Sequence, residues 1–161
     1  MSSTPPPAGP RATPAPDDAD RFDLQRFVQA QSANFEEALA ELRAGSKRTH
    51  WSWYVLPQLR GLGTSALSVR YAISGLEEAR AYLAHPVLGP RLRDCLSAIN
   101  GHAGQRAVAD ILGPVDAQKL HACATLFSMV AELGSVFQRT LILHFHGQSH
   151  ARTVMLLSRL S

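Results

Sequence analysis

The feature that most constrains the fold is a helical rhythm that begins at Asp20 and runs almost to the last residue. Apolar side chains recur at three- and four-residue intervals, and each run is cut by glycine, proline or a side chain able to cap a helix. Asp20 and Asp23 can cap a helix whose face is Leu24, Phe27, Val28 and Gln31. Asn34 with Glu37 reads as a capping box for a second helix, whose face Phe35, Ala38, Leu39 and Leu42 stops at Gly45. Ser74 with Glu77 reads as another box, opening a helix through Leu76, Ala79, Tyr82 and Leu83 that ends before Pro86. Leu88, Leu92, Cys95, Leu96 and Ile99 mark the next helix, and Val108, Ile111 and Leu112 a shorter one closed by Gly113-Pro114.

Asp116 reads as the N-cap of a helix through Leu120, Cys123, Ala124, Phe127 and Val130. Met129 and Ala131 widen its apolar face, so this helix is expected at the centre of the fold. Residues 135–146 follow with Val136, Phe137, Leu141 and Phe145, and Ser149 is expected to cap a last helix through Val154, Leu156 and Leu157. Strand character over residues 51–56 and 140–145 rests on aromatic and β-branched content alone, with no alternation and no hairpin partner. The expectation is an all-α, single-domain irregular bundle of about seven to eight helices.

A chain of 161 residues that is 45% apolar supports one domain with a core. Residues 1–20 hold six of the ten prolines and no large apolar side chain after the initiator, which predicts a disordered proline-rich leader; the helical domain is expected over 21–161. The leader carries Arg11 against Asp17, Asp18 and Asp20, so the body holds fifteen Lys/Arg against ten Asp/Glu and is moderately basic. Cys95 and Cys123 lie in apolar helical patterns without metal or redox spacing, which predicts buried free thiols. There is no secretory h-region and no run of eighteen apolar residues, so a soluble cytoplasmic protein is expected.

Within this rhythm residues 47–65 stand apart. Both tryptophans, Trp51 and Trp53, lie here with His50, Lys47, Arg48, Pro57, Gln58 and the Gly61-Leu62-Gly63 turn. Pro57 ends the preceding element, and the glycine turn can present main-chain N–H groups before Thr64 or Ser65 caps another short helix. With Lys47 and Arg70 for charge and Trp51 or Trp53 as a stacking face, the segment is a candidate pocket for a phosphate-bearing ligand of the nucleotide or ADP-ribose type. The candidate binding residues are Lys47, Trp51, Trp53, Gln58, Gly61, Gly63, Ser65 and Arg70. The competing reading is a tightly packed turn whose indoles are core anchors.

Candidate catalytic residues are His50 and His85 as acid or base, with Asp116 and Lys119 as a helix-start pair. The enzyme they would make is a hydrolase or transferase at a nucleotide-derived glycosidic bond. His144 and His146 would lie about 200° apart on a helix, so no metal is expected, and no cofactor fingerprint is present. Arginines 91, 93, 106, 139 and 152 permit phosphate contact, but no nucleic-acid recognition motif accompanies them, and nucleic acid is not expected as a partner. A non-catalytic helical interaction module, with an exposed apolar patch for an unknown protein partner, is the alternative.

The order of motifs resembles domain-of-unknown-function family 1810, small and mostly bacterial proteins of which some carry a calpastatin-like label. The matching residues run from Leu24-Gln25-Arg26-Phe27 and Gly45-Ser46-Lys47 through His50-Trp51, Trp53, Pro57-Gln58-Leu59 and Gly61-Leu62-Gly63. They continue with Tyr71-Ala72-Ile73, His85-Pro86, Arg91-Leu92, Asp116, Lys119-Leu120 and Thr125-Leu126-Phe127. The sequence departs from the pattern at Ser52 and at Ala122-Cys123. The resemblance implies a compact helical fold and no established activity; the protease inhibitor implied by the label has no support in these residues.

Overall fold

The computed structural model describes residues 20–160, so the proline-rich leader expected over residues 1–20 lies, apart from Asp20, outside the described residues. Ten helices are present among them and no strand: α1 (Gln25–Ser32), α2 (Phe35–Ala44), α3 (Ser52–Val55), α4 (Ala66–Arg70), α5 (Leu76–Ala84), α6 (Leu88–Asn100), α7 (Val108–Leu112), α8 (Pro114–Ser128), α9 (Val136–Phe145) and α10 (Ala151–Leu160). The bundle is all-α and irregular, as expected. Beyond the eight longer periodic stretches, α4 is the short helix expected after Ser65, and α3, inside residues 47–65, is too short for an amphipathic period to show. The two weak strand candidates are α3 and part of α9, and the sole extended pairing among the described residues is an isolated parallel bridge between Leu59 and Ile73.

The expected central helix is central. On α8 the residues Ala117, Leu120, Ala122, Cys123, Ala124, Thr125, Leu126 and Phe127 are all buried, and the helix packs against α5, α7, α9 and α10. Small residues on several faces let those neighbours approach closely. The other long helix, α6, packs against α2, α5 and α9. An aromatic chain joins the layers: Tyr54 meets Tyr71, Tyr71 meets Phe27, Phe27 meets Tyr82, and Phe127 bridges Tyr82 to Phe137, all with ring centroids within 5.1–5.7 Å. Cys95 and Cys123 are buried free thiols, and burial pushes the Cys95 thiol up to about 12. No described helix is long and apolar enough to cross a membrane.

Several caps differ from the local reading because tertiary partners claim the side chains. Gly45 does end α2 in the left-handed conformation, at φ 76°. Asn34, however, makes no cap bond; its amide Nδ2 donates to the Tyr54 hydroxyl at 2.6 Å. Gly75, not Ser74, is the N-cap of α5, and the Ser74 N–H and hydroxyl both donate to Glu78 rather than pairing with Glu77. Pro114 sits in the first helical turn of α8, which places Asp116 inside the helix and frees its carboxylate for other partners. At α10 the Thr153 N–H is taken by His150, one residue after the expected cap Ser149.

Candidate functional site

The segment between α2 and α3 is shaped by a carboxylate that lies outside it, on α2. Glu41 lies on α2 and is only 8% exposed. Its Oε1 accepts the N–H groups of Arg48 and Thr49 and the Trp51 indole N–H, and its Oε2 accepts the Thr49 hydroxyl, at 2.6–3.1 Å. Burial pushes this carboxyl up, but the four donors together outweigh it and bring it down to about 2. Trp51 is thereby fixed fully inside the core. The Lys47 N–H donates to the Ile111 carbonyl at 2.7 Å, tying the same loop to α7.

The two lysines of the chain converge on one residue. Lys47 Nζ lies 3.0 Å from Asp116 Oδ2, and Lys119 Nζ lies 3.5 Å from Asp116 Oδ1. Each ammonium also stands over one of the two indoles, Lys47 at 4.9 Å from Trp51 and Lys119 at 5.0 Å from Trp53. The Ser52 hydroxyl donates to Asp116 Oδ2 at 2.8 Å. Burial alone would raise the Asp116 carboxyl; the bonds from Ser52 and Lys47 and the charges of both lysines prevail and lower it. Asp116 is thus shared between two cations.

Lys119 also lines an open hollow of about 330 Å³, together with Gln58, Leu62, Gly63, Ser68, Val115, Gln118, His150 and Arg152. One wall is the loop after Pro57, pinned because Ile73 N–H donates to Gln58 C=O at 2.9 Å and Arg60 N–H donates to Ile73 C=O at 2.8 Å. Gly63 is required there: a Cβ at this position would stand 2.6 Å from the Cβ and Oγ of Ser68. The other walls are the start of α8 and the start of α10.

The candidate residues therefore divide. Gln58, Gly63 and Lys119 line the hollow, and Lys47, Asp116 and Trp53 form the charged cluster behind Lys119. Trp51 has no exposed face and cannot stack on a ligand. Gly61, at φ 101°, is covered by Leu156 of α10, and Ser65 caps α4 by accepting the Ser68 N–H at 3.2 Å. Arg70 places its guanidinium over Tyr71, and His50 is exposed; neither lines the hollow. His85 is committed to the α5–α6 corner, where Nδ1 accepts the N–H groups of Val87 and Leu88.

Sequence reasoning missed Ser68, Gln118, His150 and Arg152 as neighbours of this segment. Arg152 reads from the sequence only as one of five arginines that permit phosphate contact, and His150 carries no local signal that ties it to residues 47–65. Arg152 reaches the Gly61 carbonyl at 3.5 Å across a separation of 91 residues, which no local pattern encodes. Among the described residues no group of three His, Cys, Asp or Glu side chains is placed to hold a metal.

The sequence matches the family described as "Protein of unknown function (DUF1810)" over residues 21–157. The chain belongs to this family. Among solved structures this DUF1810 protein is similar to that of the conserved hypothetical protein Rv1873 from Mycobacterium tuberculosis, with 48% identity and a TM-score of 0.83. The similarity covers 86% of this chain and 99% of the other. No curated protein matches the chain significantly.

Proposed function

We propose that this DUF1810 protein binds a phosphate-bearing small molecule, of nucleotide or ADP-ribose type, in the hollow between the Gln58–Ser68 loop and the starts of α8 and α10. The observation that carries the reading is the meeting of Lys119 and Arg152 in one concavity whose other polar groups are uncharged: Gln58, Gln118, Ser68 and His150. Such a lining favours an anion, with amides and a hydroxyl left to hydrogen-bond a sugar or base. Lys119 is shared with Lys47 over a single carboxylate, so its charge is incompletely neutralised.

The reading is one of binding. The acid–base set expected for cleavage of a glycosidic bond is dispersed: Asp116 is held by Lys47, Ser52 and Lys119, His85 caps a corner, and His50 lies outside the lining. Thermal-shift titration with inorganic phosphate, AMP and ADP-ribose tests it. A ligand at one hundred times its Kd stabilises the folded state by about 2.7 kcal/mol, which moves the midpoint by several degrees. No shift with any of these, or a shift retained in Lys119→Ala/Arg152→Ala, overturns the proposal.

A second reading, a protein-interaction module, is favoured by a different face. Leu133 is 91% and Ile142 65% exposed, and Ile142 and Met129 line an apolar-rimmed hollow of about 350 Å³ beside α9. It predicts that Ile142→Lys abolishes capture of a specific partner and leaves phosphate-induced thermal shifts unchanged.

A further inference from the structure

His150 occupies the junction of the hollow and α10, and its bonding fixes the state of its ring. The Thr153 N–H donates to Nδ1 at 3.3 Å, and Thr153 Oγ1 lies 2.9 Å from the same nitrogen. A main-chain N–H can only donate, so Nδ1 carries no proton and the Thr153 hydroxyl donates to it as well. In the neutral ring the proton therefore resides on Nε2. That nitrogen makes no hydrogen bond among the described residues, and His150 is one of the residues that line the hollow, with Lys119 and Arg152.

The surroundings hold the ring in place. The His150 N–H donates to Thr125 Oγ1 at 2.8 Å, and the Thr125 hydroxyl donates in turn to the His121 carbonyl at 2.8 Å. The His121 ring meets that of His150 edge-on at 5.2 Å; it is itself stacked on Phe145 at 4.0 Å and bonded through Nε2 to the Gln148 carbonyl. Thr153 is fully buried. The groups facing His150 are thus His121 and Lys119 from α8 and Arg152 from α10, whereas the Gln58–Ser68 wall contributes no titratable side chain to the lining. Burial first, then His121 and Arg152, disfavour the imidazolium.

We propose that His150 is the specificity-determining donor of the hollow: Nδ1 fixes the start of α10, and Nε2–H is thereby presented as a neutral hydrogen-bond donor to an oxygen of the bound phosphate group. This rests on the binding reading above and deepens it. The ligand oxygen is recognised by a directional N–H in a lining that also carries two cations, and the same ring couples the ligand to the docking of α10.

Two substitutions separate the two sides of the ring. In His150→Asn the Oδ1 replaces Nδ1 as a cap acceptor, and asparagine is among the best N-cap residues, but no donor reaches the hollow. In His150→Gln the amide can reach the place of Nε2 while the cap is lost. Binding of inorganic phosphate and AMP is measured by titration calorimetry, thermal midpoints by calorimetry, and the ring nitrogens by 15N NMR of the full chain. The expected results are about tenfold weaker binding in His150→Asn with a midpoint within about 1 °C of the parent. His150→Gln should keep most of the affinity and lose about 3 °C. The NMR spectrum should show a bare Nδ1 and a protonated Nε2 whose signal moves on adding phosphate. Binding that weakens in Lys119→Ala and Arg152→Ala but not in His150→Asn, or a protonated Nδ1, overturns the role of His150 and leaves the binding site standing. Absence of binding by the unaltered protein overturns both.

Discussion

Glu41→Gln isolates how much one buried charge contributes to the ordering of residues 47–65. Three donors converge on Oε1 and the Thr49 hydroxyl alone on Oε2. A glutamine can therefore keep its oxygen on the three N–H groups and turn its amide toward Thr49, whose hydroxyl rotates to accept. Shape and bond number survive, and the charge is lost. The carboxyl is displaced from 4.5 to about 2, and each unit corresponds to about 1.36 kcal/mol, so the charge stabilises the fold by about 3 kcal/mol at neutral pH. Because the folded value is depressed, this stabilisation is present above about pH 4.5 and is lost as pH falls through the folded value near 2. About half remains at pH 3. Urea unfolding of parent and variant should show a difference of about 3 kcal/mol at pH 7, roughly half that at pH 3, and an unchanged m-value. A difference below about 0.5 kcal/mol at pH 7, or one independent of pH, would refute the assignment of this carboxylate as the anchor of the loop.

Other positions test packing more directly. Gly89→Ala would place a Cβ 2.1 Å from the Leu83 carbonyl oxygen, a main-chain atom at the α5–α6 corner, so calorimetry should show a loss of about 3 kcal/mol or more. Gly63→Ala should lower the midpoint and weaken phosphate-induced stabilisation, and adding Ser68→Gly, which removes the atoms 2.6 Å away, should recover much of the loss. Arg26 donates to the carbonyls of Phe22, Asp23, Arg70 and Ala72 and to buried Glu78; Arg26→Met leaves that carboxylate unpaired and should cost about 3–5 kcal/mol in denaturant unfolding, with partial recovery in Arg26→Met/Glu78→Met.

Much of the bundle was legible because helices declare themselves locally. The stop at Gly45 and the start at Ser135 follow from a left-handed glycine and a serine that accepts the Gln138 N–H; α8 is central as expected, although Met129, read as widening its apolar face, lies past the helix end and is exposed. The failures share one cause, a polar side chain claimed by a partner distant in sequence. Asn34 has the position of a cap and is taken by Tyr54; Ser74 is taken by Glu78; Asp116 looks like a cap and is instead held by Lys47. Glu41 did carry a signal: it lies three residues after Ala38, on the face that Phe35 and Ala38 bury, and an acid at such a position has to find donors.

The same reasoning explains why residues 47–65 are unusual without being self-sufficient. Their indoles and cations are costly to order, and each is ordered by something outside the segment: Trp51 by Glu41 of α2, Lys47 by Ile111 of α7 and Asp116 of α8, Gly61 by Leu156 of α10. Lys119 repeats over Trp53 the placement of Lys47 over Trp51, with Asp116 between the two ammonium groups. Lys47, whose side chain is only 8% exposed, serves as the inner cation; it holds the carboxylate that would otherwise neutralise Lys119 at the hollow. Asp116→Asn should therefore free both ammonium groups, destabilise the fold through Lys47, and strengthen phosphate binding through Lys119; loss of stability together with loss of binding would show that Asp116 positions Lys119 rather than tempering its charge.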